Sequence, residues 1–300
     1  MARHHTKRER EKVRAHRQAE RLAERRRGAL KAGTCLLIVA LFGFFAYSAL
    51  VEPRMVKVTE HEVPVRGLPW AFDGLTIVQL SDLHVGIWIK PEGVRKIVER
   101  VNALSPDLVL LSGDYVNRFA ANCEPAGRAL AGLKARCGVY AVLGNHDYWV
   151  DADRMTSALR KSGIDVLFDE KRRISVGSQE IWLVGLDDVW EGNPDYEKAF
   201  AGISQDDICL ALAHNPDAAL HLKDRPVCLL LAGHTHGGQV NLPWIGPLYV
   251  PSELGPKYAS GMHDLDGVRM YVSRGIGFIT PVRFRCPPEI PVFTLRRVER

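Results

Sequence analysis

Thiol pairs at metal-binding spacing are missing from this chain. Its six cysteines include no C-x-x-C, which argues against a cysteine-ligated zinc. Cys35 lies in an apolar run, and Cys209 and Cys228 lie in expected buried strands, where thiols pack as small apolar groups. Cys123 and Cys137 are the pair that an oxidising compartment could join. There is no internal repeat and no low-complexity segment outside a charged N-terminal tail. Net positive charge is missing from the main body as well. The formal +5 comes from residues 1–31, with 12 Lys/Arg against 4 Asp/Glu, whereas residues 32–300 carry 28 against 31. A mildly acidic body has no global attraction for nucleic acid, so no stable nucleic-acid complex is expected.

One stretch has no charge at all. Ala32–Val51 (AGTCLLIVALFGFFAYSALV) is 20 residues long. As a helix it spans about 30 Å, the thickness of a bilayer core. The basic tail could be read as a nucleic-acid arm. Directly before an apolar span it reads instead as the cytoplasmic flank of a transmembrane helix. Only Arg54, Lys57 and Arg66 follow within residues 52–66, and this asymmetry places the body outside the cytoplasm, on the inner cell membrane. Arg26-Arg27-Gly28-Ala29-Leu30-Lys31 resembles a twin-arginine export signal, with Ala29 where Phe is usual, and Ala46-Tyr47-Ser48 has the small residues of a signal-peptidase site. A 31-residue charged tail is long for a removed signal, which favours an uncleaved anchor. The expected division is a basic tail over 1–31, an anchor over 32–51, a linker or first strand over 52–66, and one domain over 67–300.

The body alternates strands and helices. Apolar runs at 75–82, 107–114 and 138–147 read as strands, with helices from Pro91, near 125–135 and over 151–162 between and after them. Val94, Ile97, Val98, Val101 and Leu104 recur at helical spacing. Shorter strands are expected around 173–177, 181–188, 208–216, 227–239, 268–273 and 291–296. Runs of Val, Leu and Ile with little alternation indicate strands covered on both faces. The expected fold class is α/β, with two sheets and helices outside.

Each of five polar clusters closes an apolar run: Asp82-Leu83-His84, Gly113-Asp114, Gly144-Asn145-His146-Asp147, His214, and Gly233-His234-Thr235-His236. Ligands gather beyond the carboxyl ends of strands in layered folds, so clusters scattered in sequence would converge in space. Asp82 and His84, two apart on an extended strand end, face the same way. Oxygen and nitrogen donors without thiolate suit Mn, Fe or Zn. A carboxylate such as Asp114 can bridge two cations about 3.5–4 Å apart, and paired cations are suited to attack on phosphorus esters.

The order D-x-H, G-D, G-N-H-D, H, G-H-T-H resembles the calcineurin-like metallophosphoesterase superfamily over about residues 70–297. The resemblance implies a two-sheet β-sandwich flanked by helices, with a dinuclear metal centre at its edge. It implies that Asp82, His84 and His236 hold the first metal, that Asn145, His214 and His234 hold the second, and that Asp114 bridges. His146 would contact the phosphoryl oxygen or protonate the leaving group, with Asp147 orienting its ring. The reaction implied is attack on phosphorus by a metal-activated hydroxide. The segment GVRMYVSRGIGF–TPVRFRCPPEIPVFTL is similar to the bacterial membrane-associated or exported branch, which includes enzymes resembling UDP-2,3-diacylglucosamine pyrophosphatases. It brings Arg283 forward as a substrate-phosphate contact, beside the alternative of a surface arginine.

Loops beside the clusters are apolar: Ile87-Trp88-Ile89, Phe119, Tyr148-Trp149, Trp190 and Trp244-Ile245. They could form a groove for an acyl chain, with Trp88 in contact with substrate, or bury one another under long loops. Asp187 and Asp188 could support the site from behind, or serve as loop caps. The expected activity is thus a membrane-tethered phosphodiesterase or pyrophosphatase, acting on a phosphoester that could be lipid-linked. An exported nuclease or nucleotide phosphodiesterase is the alternative enzyme, and a non-catalytic metal-binding scaffold the alternative class.

Overall fold

The structure, a computed structural model, describes residues 7–299. The chain forms two compact units, the first ending at Tyr47 and the second beginning at Ser48. The first holds helix α1, Lys7–Ala46, which runs unbroken for 40 residues. Its C-terminal half supplies the one helix, among the described residues, that is long and apolar enough to cross a membrane.

The second unit contains β1 (Lys57–Arg66), β2 (Thr76–Leu80), α2 (Pro91–Ala103), β3 (Leu108–Ser112), α3 (Cys123–Leu130), β4 (Val139–Val142), α4 (Asn145–Lys161) and β5 (Asp165–Val166). It continues with β6 (Glu170–Val176), β7 (Gln179–Gly185), α5 (Tyr196–Phe200), β8 (Cys209–Leu212), β9 (Val227–Ala232), β10 (Asn241–Leu242), β11 (Gly246–Pro247), β12 (Gly261–Leu265), β13 (Val268–Val272) and β14 (Glu289–Val298). One six-stranded sheet has the order β1-β14-β2-β3-β4-β5, the other β12-β13-β9-β8-β7-β6, and β10 and β11 form a separate hairpin. The fold is α/β: a two-sheet sandwich with helices outside.

Alternation along β3 shows how the layers are built. Leu108 and Leu110 face the core between the sheets, where they join Leu183, Leu210, Leu229 and Phe293. Val109 and Leu111 face the outer layer with Val94, Val98 and Val101 of α2. Every residue of the strand is buried, so its run reads as apolar without alternation. Residues 52–66 consist of a 3-10 turn, Glu52–Arg54, and strand β1, which pairs with β14 along its whole length. Cys123 and Cys137 are free thiols, not the disulfide that an oxidising compartment would allow.

Strands β2, β3 and β4 are parallel, as are β8 and β9. Their carboxyl ends deliver the five polar clusters to one edge of the sandwich.

Candidate metal centre

Asp82 and His84 follow β2, Asp114 follows β3, His214 follows β8, and His234 and His236 follow β9. Asn145 is placed differently from expectation. The run 138–147 is strand only to Val142, and Asn145 opens helix α4. The reason is local: Gly144 takes the extended N-cap conformation, and its N–H donates to the Asp147 carboxylate at 3.0 Å. A break at Asp151 then separates that first turn from the expected helix over 151–162.

The seven expected ligands, all buried, meet. His84 Nε2 and His236 Nε2 face each other at 3.0 Å, and His236 Nε2 lies 3.5 Å from Asp82 Oδ1. On the other side His214 Nε2 lies 3.1 Å from both Asn145 Oδ1 and His234 Nδ1. Asp114 Oδ2 sits 3.5 Å from His84 Nε2 and 3.4 Å from His214 Nε2. Ligands about 2.1 Å from a common cation lie roughly 3.0–3.4 Å from one another, so these spacings fit metal binding. Asp82, His84 and His236 form one potential ligand cluster, and Asp82, Asp114 and His214 another.

The backbone is strained to achieve this. Asp82, His84, Asp114, His234 and His236 all adopt positive φ, between 47° and 70°. Such residues cost about 1–3 kcal/mol each and concentrate at functional sites. Close approach also demands glycine. A Cβ on Gly144 would stand 2.3 Å from Asp114 Oδ1, and one on Gly233 would stand 1.8 Å from Ser81 Oγ.

Burial sets the protonation of the rings. It drives His84 and His234 down to about 3, and His236 well below the ordinary imidazole value. Among the described residues, the opposite nitrogens His84 Nδ1 and His236 Nδ1 have no hydrogen-bond partner, so no protein group fixes the tautomer of these two rings. Neutral rings present lone pairs, as a cation requires. His214 is oriented by its Nδ1–H, which donates to the Ser112 carbonyl at 2.7 Å. Burial lowers His214 too, but the Asp114 carboxylate outweighs it and raises the ring to about 10. Burial pushes Asp82 up to about 6. A bound cation would favour the ionised carboxylate instead.

His146 lines a cavity of about 290 Å³ beside this cluster, together with Trp149, Trp190, Tyr249 and Ile279. Its ring stands edge-on to His84 at 4.7 Å and to Trp149 at 4.6 Å. Asp147 does not orient that ring. Its two oxygens accept from the N–H groups of Asp114, Tyr115, Val116 and Gly144 at 2.9–3.2 Å, so it ties α4 to the loop after β3. Burial pushes its carboxyl up to about 8 against those four donors, which favour the anion.

Arg283 is not the surface arginine that the sequence offered as one alternative. It is fully buried, and its guanidinium donates to the carbonyls of Cys286, Arg274 and Gly277 at 3.0, 2.8 and 2.6 Å. It holds the loop before β14 together, and it is not among the residues that line the cavity. Trp88 is half exposed in the loop after His84 and is not part of the cavity wall. The apolar loop residues do not bury one another: Phe119, Trp149, Trp244 and Ile245 are 55, 55, 102 and 71% exposed. Asp188 is a loop cap, accepting from Trp190 N and Glu191 N at 3.0 and 2.9 Å, and Trp190 in turn stands 4.3 Å from the His234 ring.

The family model for calcineurin-like phosphoesterases matches residues 75–238, more than half of the 300. The chain belongs to that family. Three curated relatives extend the match. The metallophosphoesterase YkuE of Bacillus subtilis (strain 168) is 35% identical, over 90% of this chain and 94% of its own. Phosphodiesterase YaeI of Escherichia coli (strain K12) is 29% identical, over 86% and 94%. The UDP-2,3-diacylglucosamine pyrophosphatase LpxG of Chlamydia trachomatis is 29% identical, over 80% and 89%. This calcineurin-like phosphoesterase is a metal-dependent hydrolase of phosphoric esters, of the branch that the C-terminal segment resembles.

Sequence reasoning missed Ser81, whose hydroxyl donates to Asp82 Oδ2, and Tyr249 and Ile279, which complete the cavity rim. Ser81 adjoins a motif and was findable. Tyr249 and Ile279 lie in loops with no local signal.

Proposed function

We propose that the domain hydrolyses a phosphodiester or pyrophosphate bond with two divalent cations, Mn, Fe or Zn, as cofactors. Asp114 Oδ2 carries this reading, because at 3.5 and 3.4 Å from His84 and His214 it belongs to both halves of the ligand set. Asp82, His84 and His236 would hold one ion, Asn145, His214 and His234 the other, and Asp114 both. When bound, such a pair neutralises phosphoryl oxygens and acidifies water. The protein's own part is to fix the ligands on strand ends, to keep three rings neutral by burial, and to place His146 at the cavity. Burial lowers His146, and an anionic phosphoester beside it favours the protonated ring, which can then hand its proton to the leaving oxygen.

The substrate we infer is lipid-linked. Trp149, Trp190, Tyr249 and Ile279 give the cavity an apolar rim, and LpxG by its name acts on a diacylated sugar nucleotide. The acidic body disfavours a nuclease, and the convergence of all seven ligands disfavours a scaffold. Residues 1–31 act as a cytoplasmic tail and 32–51 as an uncleaved inner-membrane anchor. Retention of the anchor is supported by Ser48, which is buried and whose carbonyl accepts from Arg283 N. On this reading the domain faces away from the cytoplasm, whether delivered by twin-arginine export or otherwise; a C-terminal fusion reporter tests the orientation. A phosphoester panel with Mn, Zn and Fe tests the chemistry. Diesters or pyrophosphates should turn over with metal, and lipid-linked ones faster than a small aryl diester. Absence of metal-dependent turnover would remove the proposal.

A further inference from the structure

The hairpin of β10 and β11 turns through Pro243, Trp244 and Ile245. Trp244 is fully exposed, and Ile245, Leu248 and Tyr249 are 71, 59 and 72% exposed. Trp244 also holds a left-handed backbone, φ +63°. Gly or Asn adopts that conformation freely, whereas a bulky side chain there is strained. A soluble surface has little use for a strained, bare indole.

Its neighbourhood supplies the reason. The hairpin's base is fastened to the segment before β14: Asn241 N donates to Phe284 O at 2.9 Å, and Phe284 N to Gln239 O at 2.8 Å. The next contacts along the same segment belong to the domain's first residues. Arg283 N donates to Ser48 O at 2.9 Å, and Cys286 N donates to the Glu52 carboxylate. Ser48–Val51 are at once the end of the 20-residue apolar run in the sequence and the first residues of the folded unit. Leu50, Val51 and Met55 are 59, 46 and 42% exposed at this junction, beside exposed Arg54. Arg285, exposed as well, lies between the hairpin's base and the Glu52 contact.

We propose that the β10–β11 hairpin enters the lipid headgroup layer, with Trp244 and Ile245 as the inserted tip and Arg54 and Arg285 toward lipid phosphates. Indole suits that layer, with an apolar body and a polar N–H. Tyr249, which follows the hairpin, lines the metal cavity, so insertion sets the cavity mouth at headgroup height. The inference concerns position and does not depend on which ester is cleaved.

The test uses the full chain in vesicles of phosphatidylethanolamine and phosphatidylglycerol, with and without brominated acyl chains. Bromolipid should quench part of the wild-type tryptophan emission, and W244F should lose that part. Equal quenching in both proteins overturns the proposal. Cross-linking of I245C between two copies, without quenching, assigns the hairpin to a dimer and also overturns it. As a second reading, I245D should lower turnover of a vesicle-borne phosphodiester by about tenfold or more, the scale of one apolar side chain removed from lipid. Turnover of a water-soluble aryl diester should be unchanged, which shows that the domain is folded. An equal effect on both substrates counts against the proposal.

Discussion

His84 Nε2 and His236 Nε2 stand 3.0 Å apart although their residues are separated by 152 positions, and burial keeps both rings neutral. Two neutral imidazoles facing nitrogen to nitrogen can share one hydrogen bond at most, whereas a cation between them satisfies both lone pairs. With Asp82 Oδ1 3.5 Å from His236 Nε2, the arrangement has the form of a half-built coordination shell.

Removing the shared ligand tests the pairing of two such shells. Asp114→Asn should lower turnover of a phosphodiester by about 10³-fold or more, a loss typical of a group that stabilises charge at a reacting centre. Metal content by mass spectrometry should fall relative to the wild type, while circular dichroism stays unchanged. Full activity in metal-replete protein would dismiss the bridging role.

Chelation should destabilise the fold as well as stop turnover. Ions that bind only the native state stabilise it by about 2.7 kcal/mol at a hundredfold excess over Kd. The melting temperature should drop with chelator and return with Mn or Zn. No shift would mean that the ligands do not hold ions in the native protein.

The His146 ring faces the cavity, edge-on to His84 and Trp149. His146→Gln should reduce kcat by about 10²–10⁴-fold for a poor leaving group, and much less for nitrophenolate, which needs no proton. Metal content should be unchanged. An equal loss for both leaving groups would count against proton donation.

Asp147 should behave oppositely. Asp147→Asn puts an NH2 group against backbone donors that now have a carboxylate oxygen. Buried unsatisfied donors cost about 1–3 kcal/mol each, so urea titration should show a loss of about 3 kcal/mol. An unchanged midpoint with lost activity would restore the orienting role that the structure denies it.

Arg283→Met should also act on stability. The carbonyls of Cys286, Arg274 and Gly277 lose their donor, and buried acceptors left unpaired cost about 1–3 kcal/mol each, so urea titration should show a loss of about 3 kcal/mol. KM for a small diester should stay the same in the folded fraction. A raised KM at unchanged stability would make Arg283 a substrate contact after all.

The sandwich was legible because β3 and its neighbours are apolar on both faces, and α2 because Val94, Ile97, Val98 and Val101 keep helical spacing. Less was legible where structure is made by pairing rather than by pattern. β5, β10 and β11 have only two residues each and no periodicity to detect. The start of α4 was misread because Val139–Val142 runs into it without a polar break, and only the Gly144 cap ends the strand.

What the linear order settled alone was the donor chemistry: carboxylates, imidazoles and an amide, each after an apolar run, in a body without thiolate pairs. Ligand type is a property of the side chain, and a side chain is visible in sequence. Tertiary structure decided the rest. It turned Asp147 from the partner of an imidazole into an acceptor of four N–H groups, and Arg283 from a surface cation into the buried staple of a loop. It also left Trp244 bare at the tip of a hairpin while Trp149 and Trp190 went to the cavity wall. Those outcomes depend on which backbone groups need partners and which loops meet, and both are set only when distant strands pair.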